Sequence, residues 1–362
     1  MQEAGGILTL PVGACSPGAS ERRLGFRRRE APDAFRTQLA SSQAQLAPQA
    51  QLPASLMPAA PPVPTIVGPT AVGKTAMGLS LAEAFDAEII SADSRQVYRE
   101  LDIGTAKPGP EARRRAEHHF IDEKDLSEDF SAGQFAEAAH ERINAIRRRG
   151  REALVVGGST LYVHALQKGL ADIPEVPGEV RERLNERLDE DGGAETLFAE
   201  LQEVDPERAA KLDATKTHQV VRALEVYRHT GRTLTHFHQQ QPEPPHDFRT
   251  VVLRRDRQRL YDRINRRVDR MLASGLVEEV RALREQGADR HRPPLRTIGY
   301  REVFEFLDGE HDRDEMERLI KRNSRRYAKR QLTWFRRYDE YEWTHADTPT
   351  GEVAGLLGRS AR

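Results

Sequence analysis

Apolar positions follow no sustained period of 3.6 or 2 through the first sixty-two residues, and from Val63 onward they do. Val63-Pro-Thr-Ile-Val67 is a short apolar run, and past a glycine-bounded gap Ala76, Met77, Leu79, Ala82 and Phe85 recur at helical spacing. Ala87-Glu-Ile-Ile-Ser-Ala92, Ala153-Leu-Val-Val156 and Thr250-Val-Val-Leu253 read as further strands. Val220, Val221, Leu224 and Tyr227 make the apolar face of a helix from Thr217 to Arg228, with Gly231 as its stop. Leu260, Ile264, Val268 and Leu272 stand at i,i+4 intervals before Gly275, with Arg263 and Arg267 on the neighbouring face. A last helix, through Arg318 to Tyr338, turns Met316, Leu319, Ile320, Tyr327, Leu332 and Phe335 toward a core. Strands alternating with helices predict an α/β fold with a parallel sheet.

The pattern divides the chain. Residues 1–62 hold 8 of the 21 prolines and read as a disordered extension. Residues 63–175 and 245–345 read as a core. Between them, 176–244 reads as a charged helical insertion bracketed by Pro174 and Pro177 and by Pro242, Pro244 and Pro245, and 346–362 as a tail. The arginines at 22, 23 and 27–29 fit a solvated tail, or a start codon set too far upstream, better than a nucleic-acid arm or a targeting peptide.

No apolar run approaches bilayer-spanning length, and the single cysteine, Cys15, excludes an intrachain disulfide framework, so a cytoplasmic chain without membrane contact is expected. A net charge of −1 suggests no anionic partner, but the total hides segregation: Arg318 to Tyr338 contains nine Lys or Arg and no acid. Such a concentration is what a phosphate backbone attracts, although a charge run alone is as often a solvated face.

The loop of Gly68, Pro69, Thr70, Ala71, Val72, Gly73, Lys74 and Thr75 fits G-x-x-x-x-G-K-[ST], whose backbone N–H groups wrap a diphosphate or triphosphate, with Lys74 adding charge and the Thr75 hydroxyl a ligand for Mg²⁺. The flanking strand and helix argue against a chance glycine-rich turn. Asp93 falls at the end of the next strand, where open parallel sheets place ligand-binding residues. The later strand ends in Gly157-Gly158-Ser159 rather than in the Mg²⁺-holding Asp of ordinary P-loop ATPases and GTPases. His118 and His119, adjacent in a strand, point to opposite faces and read as structural.

These residues together resemble the bacterial-type tRNA dimethylallyltransferases. The loop is similar to that family's GPTA-x-GKT, and Asp93-Ser-Arg-Gln-Val-Tyr98 with Leu101-Asp-Ile-Gly-Thr-Ala-Lys-Pro108 to its D-S-x-Q-x-Y and D-I-G-T-A-K-P runs. His118-His-Phe-Ile-Asp122, Gly157-Gly-Ser-Thr-Leu-Tyr162, Arg222-Ala-Leu-Glu-Val-Tyr227, Arg296 to Arg301 and Lys329 to Arg336 follow in the family's order. The P-loop is shared widely, whereas the ordered set is specific.

The resemblance implies a P-loop NTPase-like core with a helical insertion and a channel in which two substrates meet. It implies transfer of a dimethylallyl group from dimethylallyl diphosphate to N6 of the adenine 3′-adjacent to the anticodon in the tRNA anticodon stem-loop. It also implies Asp93 as general base, Thr70 and Arg267 at the reacting groups, and Lys74, the loop N–H groups and Mg²⁺ near Thr75 on the leaving diphosphate. The implied tRNA contacts are Asp93, Ser94, Arg95 and Gln96; Ser159; His218, Gln219, Val220, Val221 and Arg222; Arg296, Thr297, Ile298, Gly299, Tyr300 and Arg301; and Lys329, Arg330, Gln331, Leu332, Thr333, Trp334, Phe335 and Arg336. Trp334 and Phe335 read equally as core or as base-stacking platforms, Arg263 as a solvated arginine, and the protein as a monomer. Ser159 stands where the family usually has Thr, Gly133 where an Asp is frequent, and Gln219 where a basic residue is common. A P-loop kinase using ATP, with Asp93 as base, and a non-catalytic RNA-binding module are the alternatives.

Overall fold

The computed structural model describes residues 60–360. The expected N-terminal extension, with Cys15 and its arginines, lies outside the described residues except for positions 60–62. Six strands form one parallel sheet: β1 (Val63–Val67), β2 (Ala87–Ala92), β3 (His118–His119), β4 (Glu152–Gly157), β5 (Phe248–Arg254) and β6 (Glu342–His345), ordered β3-β2-β4-β1-β5-β6. Alternation along each strand sends its residues to two cores. Val63 and Val67 join Ile90, Val155 and Val252 on one face, whereas Ile66 joins Ile89, Leu154 and Val251 on the other. Both faces are covered, which is why the strands read as continuous apolar runs.

On the first face pack the helices Ala132–Arg148, Thr160–Lys168 and Leu276–Glu285. On the second pack the P-loop helix Lys74–Phe85 and the start of the helix Arg257–Ala273, through Leu260 and Ile264. The helices from Gly178–Leu188 to Leu234–Gln239 bury a separate cluster built on Leu184, Leu197, Leu201 and Leu224.

The stretch expected as a tail is folded. Residues Thr350–Leu356 form a helix whose Val353 and Ala354, with Leu357, are buried beside the P-loop helix. Just before it, β6 closes the sheet edge against β5. Four strand residues and two helical turns are too short for a period to register in sequence, and their partner elements lie far upstream.

Because all strands run the same way, β1, β2, β4 and β5 deliver the P-loop, Asp93, Gly158-Ser159 and Arg254-Arg255 to one edge. Strand order diverges on either side of β1, so the P-loop opens at the crevice where doubly wound sheets bind ligands.

Candidate functional site

The P-loop is shaped by backbone demands and tied from outside. Gly68 sits at φ 151°, and a Cβ there would stand 2.8 Å from the Leu253 carbonyl, so β5 leaves no room for a side chain. Arg263 Nε donates to Ala71 O at 2.8 Å and Arg255 Nε to Val72 O at 2.7 Å, while the Arg255 guanidinium pairs with Asp347 at 2.6 Å. The Gln331 side chain ties the loop from the other side: its Oε1 accepts from Thr70 N at 2.9 Å and its Nε2 donates to Gly158 O at 2.7 Å.

Lys74 Nζ donates to Gly68 O and Pro69 O at 3.0 and 2.9 Å. Burial lowers its pKa to about 8, the Arg267 charge adds to the fall, and Asp93 opposes it. Thr75, at the loop–helix junction, is exposed.

Asp93 is oriented by its own turn: Oδ1 accepts from Arg95 N at 2.9 Å and Gln96 N at 3.3 Å. Among the described residues its Oδ2 makes no hydrogen bond and remains available to a ligand. Ser159 Oγ accepts from Ser94 N at 2.9 Å and donates to Ser94 Oγ at 3.2 Å, so the serine hydroxyl is anchored without the threonine methyl. Arg267 Nη2 donates to Thr105 O at 3.0 Å. Burial lowers the Arg267 pKa, with the Asp93 charge opposing. Tyr327, expected only as core, faces the same space, and burial pushes its hydroxyl up to about 12.

Three cavities meet here. The outer one, about 870 Å³, is lined by Lys74, Thr75, Arg263, Arg266, Arg267 and Arg270. An inner hollow of about 110 Å³ holds Thr70, Lys74, Asp93, Gly158, Arg267 and Tyr327. A third, about 350 Å³, shares Thr70, Asp93, Arg267 and Tyr327 with the inner one and opens toward Thr297 and Arg301. Arg263, expected as a solvated arginine, is exposed, and it also lines the outer cavity and holds a loop carbonyl. Its i,i+4 relation to Arg267 was the signal that could have marked it.

The remaining expected contacts divide. Ser94, Arg95, Ser159, Arg296, Thr297, Ile298, Gly299, Arg301 and Arg330 line the third cavity, and Arg95 Nε is hydrogen-bonded to Thr297 Oγ1. Gln96 and Gln331 line the inner hollow. Tyr300 instead is wholly buried, its hydroxyl donating to Glu279 Oε1 at 2.6 Å, and Phe335 is core, which decides its two readings. Leu332 packs against the second core, whereas Trp334 is half-buried, edge-on to His164 and covered by Arg337 at 4.7 Å. Lys329, Thr333 and Arg336 are exposed.

In the insertion, His218 and Gln219 are exposed at the start of the helix Thr217–Thr230. Val220 and Val221 are in its core, and Arg222 pairs with buried Glu225 at 2.5 Å. Helical period explains this: the segment's apolar positions must face their own cluster. Gly133 is in the first turn of the helix Ala132–Arg148 with only Ser131 near its Cβ position.

His119 is structural in detail. Arg142 Nη1 donates to its Nδ1 at 2.8 Å, so Nε2 carries the hydrogen and donates to Glu88 Oε2 at 2.7 Å. Glu88 also binds Arg149 at 2.7 Å and Arg151 at 3.1 Å, so the Glu88, Glu117 and His119 cluster is occupied by arginines rather than shaped for a cation.

A phosphate loop and a strand-end carboxylate facing one polar hollow, with a second cavity entering behind the carboxylate, define an α/β group-transfer enzyme of the P-loop class. Residues 96–338 match the family model described as IPP transferase. The tRNA dimethylallyltransferase of Salinibacter ruber is 60% identical over 301 residues, 83% of this chain and 93% of that protein. Among solved structures, the full-length tRNA isopentenylpyrophosphate transferase of Bacillus halodurans is similar at TM-score 0.60 and 38% identity, covering 83% of this chain and 97% of that one. A eukaryotic dimethylallyltransferase solved acting on tRNA is similar at TM-score 0.68 and 25% identity, covering 84% and 81%. The chain belongs to the IPP transferase family.

Proposed function

We propose that this protein is a tRNA dimethylallyltransferase: it moves a dimethylallyl group from dimethylallyl diphosphate to N6 of the adenine 3′-adjacent to the anticodon. The observation that carries the reading is the shared wall of two cavities, where Thr70, Asp93, Arg267 and Tyr327 face both the P-loop hollow and the space opening toward Arg301. A donor held by its diphosphate and a base arriving from the far side would meet at that wall.

The adenine amino group is a weak nucleophile because its lone pair is delocalised into the ring. As the bond from N6 to the allylic carbon forms and the carbon–oxygen bond to diphosphate breaks, the N6 proton passes to Asp93, whose Oδ1 is fixed by its turn and whose Oδ2 is free. The departing diphosphate gathers charge that Lys74, the loop N–H groups and Arg267 neutralise. Unstacking the target base costs a few kcal/mol, offset by contacts along the third cavity.

The Thr75 hydroxyl, exposed beside Lys74, would hold a hard cation such as Mg²⁺. When bound, Mg²⁺ would supply further neutralisation of the leaving group. We assign residues 63–175 and 245–345 to the catalytic core and 176–244 to an inserted subdomain, supported by the latter's separate cluster. We further propose a monomer working in the cytoplasm; among the described residues no helix is long and apolar enough to cross a membrane.

Family membership disfavours the kinase reading. The test is incubation with dimethylallyl diphosphate, ATP and an unmodified anticodon stem-loop, followed by mass measurement of the RNA. A prenyl mass increment is expected. Transfer of label from ATP to a small molecule, with the RNA unchanged, would refute the proposal.

A further inference from the structure

The helices Arg257–Ala273 and Arg313–Phe335 lie side by side and antiparallel, as their rungs show. Lys321 Nζ meets Asp269 at 2.5 Å, and one turn on Arg325 donates to Asn265 Oδ1 at 2.6 Å. Continuing by four residues on each helix, Lys329 and Tyr261, then Thr333 and Arg257, line one cavity of about 460 Å³. Arg255 in this cavity is held by Asp347 at 2.6 Å, but among the described residues Arg254, Arg257, Lys329 and Arg336 pair with no carboxylate. All four are exposed. The floor is apolar and aromatic, with Leu260, Leu332 and Trp343, and with the Tyr261 ring under Arg257 at 5.3 Å.

This cavity is not the catalytic channel. Tyr327 and Gln331 face the Asp93 hollow and Arg330 the third cavity, whereas Lys329, Thr333 and Arg336 face the opposite side of the same helix. On the helix Arg257–Ala273, Arg267 lines the catalytic channel and Arg257 this cavity, ten residues and about 15 Å apart along the axis. One bound RNA can therefore touch both.

We propose that this end of the groove binds the phosphate backbone of the RNA substrate outside the catalytic channel, with Arg254 and Arg257 as phosphate contacts. Unpaired exposed cations spread along a groove suit a polyanion, and an aromatic floor beside arginine suits a ribose or an exposed base. The inference rests on tRNA being the substrate.

The test is equilibrium binding of full-length unmodified tRNA to an Arg254→Ala/Arg257→Ala double variant across a salt series. Losing two phosphate contacts should make the slope of log affinity against log salt shallower by about 1.5 and weaken binding at least about tenfold at 0.1 M salt. The kcat at saturating tRNA and the KM for dimethylallyl diphosphate should stay as in wild type, and Arg254→Lys/Arg257→Lys should keep the wild-type slope. An unchanged slope in the alanine variant, or loss of free-nucleotide binding with tRNA binding intact, overturns the proposal. If wild-type enzyme fails to prenylate tRNA, the functional reading fails instead.

Discussion

Lys74 makes donor binding depend on pH, and the dependence can be worked out. Its pKa stands at about 8 against an ordinary 10.5, lowered by burial first and by the Arg267 charge second. At about 1.4 kcal/mol per pH unit, holding the ammonium charged in this site costs about 3 kcal/mol. Below pH 8 the folded protein bears that cost in full. In the unfolded chain the lysine stays protonated up to its ordinary value, so this group's contribution to stability rises as pH climbs from 8 toward 10.5. A bound diphosphate restores the preference for the charged form. Below pH 8 it meets lysine already charged, and above pH 8 binding must take up a proton. With the competent fraction falling to about one in ten at pH 9, the affinity for dimethylallyl diphosphate should drop about tenfold between pH 7 and pH 9. Calorimetry at pH 7, 8 and 9, in two buffers of different ionisation heat, counts the protons. The Lys74→Arg variant, whose guanidinium stays charged throughout, supplies the baseline and should show no such fall. Equal wild-type affinities at pH 7 and pH 9, with no proton uptake, would refute the reasoning.

Asp93→Ala should lower prenyl transfer by about 10²-fold to 10⁴-fold while tRNA affinity, measured by filter binding, is kept; normal turnover would remove Asp93 from the role of base. Arg267→Ala should raise the KM for dimethylallyl diphosphate with tRNA binding unchanged, and a selective loss of RNA binding would contradict its placement on the leaving group. Gln331→Ala strips Thr70 N and Gly158 O of their partner, which should cost about 2 kcal/mol in denaturant unfolding. An unaltered midpoint would mean the loop is held by other contacts. Asp347→Ala releases Arg255, so donor KM should rise; no change in KM would show that the Val72 carbonyl needs no such tie.

The core strands and the P-loop were legible because each is a local object. A five-residue apolar run, a glycine at a fixed offset and a helix beginning at the lysine are written contiguously, and the chain can satisfy them only in one way. Asp93 was legible for the same reason, standing immediately past β2. The helix Thr350–Leu356 and β6 were not, since neither is long enough to carry a period of its own. Tyr327 shows another limit: an apolar stripe marks a residue as inward-facing but does not say whether inward means core or cavity.

The basic helix shows where pattern stops and packing begins. Its charge and its helical form follow from the order of residues alone, and so does the family likeness of Lys329 to Arg336. Only the fold turns Gln331 toward Thr70, 261 positions away, buries Phe335, and sends Lys329 and Arg336 into a different cavity from Arg330. The chain by itself determined the elements and the chemistry they carry, because propensity, motif spacing and charge are properties of neighbours in sequence. The tertiary structure decided which side chains share a cavity, because that depends on long-range packing, where one helical turn sends a residue to substrate, to core or to solvent.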